Sequence, residues 1–114
     1  MTVKEFYDSI GGDYQEALGR LMNDNLIKKF VQKFLKDPSY NALITAMEGK
    51  KYYEAFQAAH ALKGVSKNLA FTEVGDASSD ITEMLRGGQY EQAEEYLSKV
   101  KETYEKVVNG IEQL

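Results

Sequence analysis

The stretch YYEAFQAAHALKGVSKNL, residues 52–69, decides the fold. Ala55, Ala58, Leu62, Val65 and Leu69 recur in it at steps of three and four, the spacing that keeps one face of a helix apolar. At roughly 100° of rotation per residue, these five fall between about 140° and 220° from His60. The apolar stripe is therefore centred opposite the only histidine in the chain. Downstream, Val74, Ala77, Ile81 and Met84 mark a helix over residues 72–86. After Gly87-Gly88, which reads as a stop followed at once by a new start, Tyr90, Ala93, Leu97, Val100, Tyr104, Val107 and Ile111 mark another.

Upstream, Ile27, Phe30 and Phe34 form a stripe that stops at Asp37-Pro38. Pro38 suits a first helical turn, with Asp37 as its N-cap, and Tyr40, Leu43 and Met47 carry the next stripe to Gly49. The region from Phe6 to Met22 reads as one or two short helices around Gly11-Gly12. No segment alternates in the way a strand requires. Several one-faced helices with short connections bury their stripes most economically against each other. The expected fold is all-α: an up-down four-helix bundle with a short N-terminal helical cap. No linker or shift of composition divides the chain, so residues 1–114 read as a single domain.

Composition narrows the function. The chain has no cysteine and one histidine, which removes thiol chemistry, disulfides and clustered Cys/His metal sites. A net charge of −4 argues against a general nucleic-acid binder. No apolar run approaches the ~20 residues of a membrane span, and MTVKEFYDSI lacks the apolar stretch of an export signal. A cytoplasmic location is expected. The Met start reads as that of a free-standing protein.

A lone histidine is by default structural or incidental. His60 stands away from the apolar stripe, which leaves an inert surface residue or a reactive one. Lys63, Gly64 and Lys67 follow at offsets of three, four and seven and share its side of the helix. Glycine inside a helix costs about 1 kcal/mol relative to alanine, so Gly64 needs a reason. Two readings fit the spacing. In one, the lysines are ordinary solvated residues and Gly64 permits a tight helix crossing. In the other, an exposed nucleophile, an open side and nearby ammonium groups serve phosphoryl transfer to a ring nitrogen.

The segment AHALKGVSKNL, residues 59–69, resembles the signature H-x-L-K-G-x-S-x-x-L of the histidine-containing phosphotransfer (HPt) family, matching at His60, Leu62, Lys63, Gly64, Ser66 and Leu69. The family often has Gly after the last Leu, where this chain has Ala70; alanine favours helix, so a slightly longer helix is expected.

The resemblance implies a bacterial-type two-component phosphorelay carrier. His60 would take a phosphoryl group from the aspartyl phosphate of one receiver domain and pass it to another. Lys63 would assist electrostatically and Gly64 would leave room for the partner; helical geometry adds Lys67 to both roles. The chain would need no cofactor of its own, since Mg²⁺ belongs to the receiver. Response-regulator receiver domains or a hybrid histidine kinase are the implied partners, met by a monomer. Tyr53 and Phe56 project within about 40° of His60 and are docking candidates, unless the N-terminal helices cover them. Ser66, at roughly 240°, points to the core edge.

Two rival readings differ in class. Gly49-Lys50-Lys51-Tyr52-Tyr53-Glu54-Ala55 and Gly87-Gly88-Gln89-Tyr90-Glu91-Gln92-Ala93 share a G-x-x-Y-x-x-A pattern, as a tetratricopeptide-like interaction scaffold would. The offset exceeds that repeat's ~34 residues and a third copy is absent, so the two read as similar helix starts. An enzyme with its own ATP-dependent kinase activity lacks a Gly-rich phosphate loop to support it. Glu91, Glu94 and Glu95 read as a solvated face rather than a carboxylate site.

Overall fold

The computed structural model describes all 114 residues, Met1–Leu114. Seven helices follow one another: α1 (Val3–Ser9), α2 (Tyr14–Leu21), α3 (Asp24–Phe34), α4 (Ser39–Glu48), α5 (Tyr52–Asn68), α6 (Thr72–Arg86) and α7 (Tyr90–Glu112). There is no strand. Helices α4 to α7 form the up-down bundle, and α1 to α3 cap one end of it. No helix is long and apolar enough to cross a membrane.

The stripes meet in one core. Ala55, Leu62, Ile81, Ala93, Val100 and Val107 are fully buried, with Val74, Ala77 and Ile111 close behind. In α6 the buried face also carries Ser78 and Thr82, whose hydroxyls donate to the carbonyls one turn back, Val74 and Ser78. That internal bonding lets polar side chains occupy core positions without an orphaned donor. In α3 the stripe is displaced by one position. Val31, rather than Phe30, joins Ile27 and Phe34 in the core, and Phe30 lies at the surface beneath the Lys33 ammonium, 5.2 Å from its ring centroid.

Local chemistry explains the helix ends. Thr2 and Glu5 form a reciprocal capping box, and Asp13 and Asn23 cap α2 and α3. Helix α4 begins one residue later than Asp37 as N-cap would require. Its cap position is Pro38, and the Asp37 carboxylate accepts from the Ser39 amide at 2.9 Å.

Helices α4, α5 and α6 end in the same motif, in which an amide reaches back to a carbonyl of the last turn across a residue with positive φ. Lys51 bonds Ala46 across Lys50 (φ 54°), Phe71 bonds Ser66 across Ala70 (φ 59°), and Gln89 bonds Met84 across Gly88 (φ 74°). The expected lengthening of α5 at Ala70 does not occur. The helix stops where the family's glycine would stop it, and Ala70 adopts the left-handed conformation in its place.

The repeated G-x-x-Y-x-x-A pattern now has a structural cause. Two helices later the chain returns to the same end of the bundle, so the α4–α5 and α6–α7 turns lie side by side. Tyr52 and Tyr90, the first residues of α5 and α7, stack with centroids 4.1 Å apart and planes 8° from parallel.

The cap holds the opposite end. Phe6 packs so closely on Gly110 of α7 that an added Cβ there would meet its ring at 2.9 Å. The N-terminal segment also satisfies the backbone around the α5–α6 turn. The Tyr7 hydroxyl donates to Leu69 O (2.8 Å), the Asp13 amide to Ala70 O (2.9 Å), and the Arg20 guanidinium to Lys67 O and Asn68 O.

Candidate functional site

Helix α5 turns Ala55, Ala59, Leu62 and Ser66 inward. Its opposite face carries His60 in the open, and Gly64 one turn on. An added Cβ at Gly64 would meet no atom within 4 Å. This removes the tight-crossing account of the glycine, because no other helix of the chain approaches it. Gly75 and Gly110 are different: the Lys67 stem and the Phe6 ring occupy the space a side chain would need. The backbone of α5 thus lies bare beside the imidazole at a conformational cost that the chain's own packing does not repay.

Aromatic rings continue the surface toward the start of α5. The Phe56 ring lies one turn before the imidazole, centroids 6.3 Å apart and planes 18° from parallel, and Tyr53 follows at 6.3 Å and 26°. Tyr53 is 71% exposed. Phe56 is half-buried, though the N-terminal helices do not cover it. Instead the Arg86 guanidinium of α6 lies over its ring, 4.9 Å from the centroid. With Tyr52, Leu85 and Tyr90, these residues line a groove of about 340 Å³ between α5, α6 and the start of α7.

The two lysines of the motif separate. Lys63 is half-buried beside the imidazole and takes part in none of the chain's ion pairs. Lys67 shares the helical azimuth of His60, yet its stem lies across Gly75 and its ammonium bonds Asp76 at 2.7 Å. It does not offer the unpaired charge that spacing alone suggested. Helical rotation places a Cβ; it does not place the head of a four-carbon side chain once a carboxylate on the next helix can reach it. Ser66 is fully buried, as its azimuth implied, and its hydroxyl finds no hydrogen-bond partner.

Sequence reading missed the contribution of α6. Lys67 lies opposite Asp76 and Phe56 opposite Arg86, a register that sets Glu83 across from His60. Arg86 Nε donates to both Glu83 oxygens, at 2.8 and 3.2 Å. That bond, with lesser help from the charges of Arg86, Lys63 and His60, holds the Glu83 carboxyl below the usual carboxylate range. The signal was present as a Glu-x-x-Arg pair at the end of the helix next in sequence. Only the register between helices could show that it faces the histidine.

The architecture is a helical bundle presenting one exposed imidazole from the middle of a helix. The family model of the Hpt domain matches residues 25–110, and the chain belongs to that family. Hpt domains act in phosphotransfer within phosphorelays, as carriers without kinase activity, and interact with receiver domains and kinases. No curated protein and no solved structure matches the chain. Residues 1–24, with helices α1 and α2, precede the matched region.

Proposed function

We propose that His60 is the phosphoryl acceptor of this Hpt domain and that the chain relays the group between receiver domains. The imidazole nitrogen bearing the lone pair attacks the phosphorus of a receiver's aspartyl phosphate. The N–P bond forms as the P–O bond to the aspartyl carboxylate breaks, and the carboxylate departs. Transfer to a second receiver reverses these steps onto a different aspartate. In this reading Mg²⁺ and the reactive carboxylate both come from the receiver, and the carrier works as a monomer in the cytoplasm.

The observation that carries the proposal is the open backbone at Gly64 one turn from an exposed imidazole. A receiver must bring its own active site to within bonding distance of the ring nitrogen, which requires clearance around the ring. Lys63 supplies positive charge to the phosphoryl oxygens as they pass. Tyr53, Phe56 and the groove beside them offer the partner an apolar seat; Lys67 contributes through its pairing with Asp76, which holds α5 against α6 at the edge of this surface.

The test is to incubate the protein with receiver domains phosphorylated by a small-molecule donor and follow acid-labile, alkali-stable label. Transfer to the wild type, absent in His60→Gln, supports the relay; equal labelling of both would refute it. Incubation with labelled ATP alone should leave the chain unmodified. The scaffold alternative loses its motif, because the repeated G-x-x-Y-x-x-A is accounted for by two adjacent turns of the bundle.

A further inference from the structure

Glu83 and Arg86 belong to no part of the motif, yet α6 brings them to the Phe56–His60 surface, where Arg86 lies over the ring next to the imidazole. The Arg86 guanidinium is held on one side by Glu83 and rests on the Phe56 ring, which is itself the neighbour of the imidazole. Both side chains are more than half exposed, so little packing fixes them where they are. A phosphoryl group on His60 would place up to two negative charges and three strong acceptor oxygens on this face. Guanidinium forks match such oxygens bidentately. A dianion also outweighs a single carboxylate in the competition for one cation at similar distance.

We propose, resting on the reading of His60 as the phosphoryl acceptor, that Arg86 is a reserve ligand for the phosphoryl group, held on Phe56 by Glu83 until His60 is modified. On phosphorylation Arg86 exchanges the Glu83 carboxylate for phosphoryl oxygens, and Glu83 is left facing the new charge without its partner. The pair then acts in opposite senses: Arg86 stabilises the phosphorylated state and Glu83 opposes it. The lowered titration of Glu83, to which Lys63 and His60 both contribute, places its carboxylate within electrostatic reach of the site.

Phosphoramidate labels exposed histidines without a protein partner and so tests the pair directly. Wild type, Arg86→Gln, Glu83→Gln and the double variant are labelled, and the ³¹P resonance of the phosphohistidine is titrated. The proposal requires the midpoint to rise in Arg86→Gln and fall in Glu83→Gln, each by about a few tenths of a pH unit, with both shifts collapsing in ~1 M salt. Arg86→Lys should restore part of the first. Unmoved midpoints, or shifts of the same sign in both variants accompanied by a lower melting temperature, would overturn it and leave only a structural pair. Labelling of His60 with unmoved midpoints defeats this inference alone. Failure of the wild type to form phosphohistidine at all defeats the acceptor assignment with it.

Discussion

The Arg86 guanidinium lies 4.9 Å from the centroid of the Phe56 ring, and the same ring lies 6.3 Å, centroid to centroid, from the imidazole of His60. Phe56 is thus only half-buried, packed against the edge of the core with one flexible side chain over its ring. Phe56→Ala should cost about 1–2 kcal/mol of stability, in keeping with partial burial. It should weaken receiver binding ten-fold or more. Chemical denaturation set beside titration calorimetry with a cognate receiver measures both. Unchanged affinity with a large loss of stability would assign Phe56 to the fold alone.

Gly64 should separate stability from function. A methyl group there meets nothing in the chain, and alanine is the better helix former. Gly64→Ala is therefore expected to raise stability by about 1 kcal/mol. Gly64→Gln, which adds a long side chain beside the imidazole, should slow phosphotransfer at least ten-fold while the protein stays folded. Rapid-quench transfer kinetics measure the second effect. Wild-type rates in Gly64→Gln would show that no partner approaches this backbone.

Two of the three non-glycine residues with positive φ at helix ends, Lys50 and Ala70, should respond differently to glycine. Lys50 is exposed, and its pairing with Glu94 at 3.4 Å is a surface contact of small value. Lys50→Gly relieves the left-handed strain and should raise stability by about 0.5–1 kcal/mol. Ala70 is buried, so removing its methyl forfeits roughly 0.8 kcal/mol of burial and offsets most of the same relief. Urea midpoints of the two variants check this contrast. Destabilisation by Lys50→Gly would mean that the turn is not strained.

Alkaline pH should loosen the fold through its tyrosines. Burial raises Tyr7, and burial with a hydrogen bond to Asp80 pushes Tyr96 up to about 12. Below about pH 10 both phenols are protonated whether the chain is folded or not, and their contribution is complete. Above that, the unfolded chain ionises first, and stability falls as pH rises toward the folded-state values. Urea midpoints should hold steady up to roughly pH 9.5 and then decline, less steeply in Tyr96→Phe. A flat profile to about pH 11 would contradict the assignment.

Much of this architecture is legible in the residues, for a physical reason. Helices α5 to α7 bury stripes long enough to average out single exceptions, and Ala55, Leu62, Ile81, Val100 and Val107 all lie in the core. Of the one or two short helices expected around Gly11-Gly12, two form. Short α3 left room for error: Phe30 and Val31 are adjacent, and only packing against the neighbouring helices decides which one is buried. At Ala70, helix propensity lost to the tertiary turn that joins α5 to α6. The site divides in the same way. Helical rotation placed His60, Gly64 and Tyr53 on the exposed face. It did not foresee that Asp76 would take the Lys67 ammonium, or that Arg86 and Glu83 would enter from α6. Both depend on inter-helix register, which no single stripe encodes.

The residue on which the phosphoryl group lands decides whether His60 is the acceptor. After incubation with a phosphorylated receiver, the protein should be digested at alkaline pH and the modified peptide mapped by mass spectrometry. One phosphoryl group on the imidazole of His60 is expected, and none in His60→Gln, whose helical circular dichroism should match the wild type. Label on any other residue, or persistent label in a folded His60→Gln protein, would contradict the account at its centre.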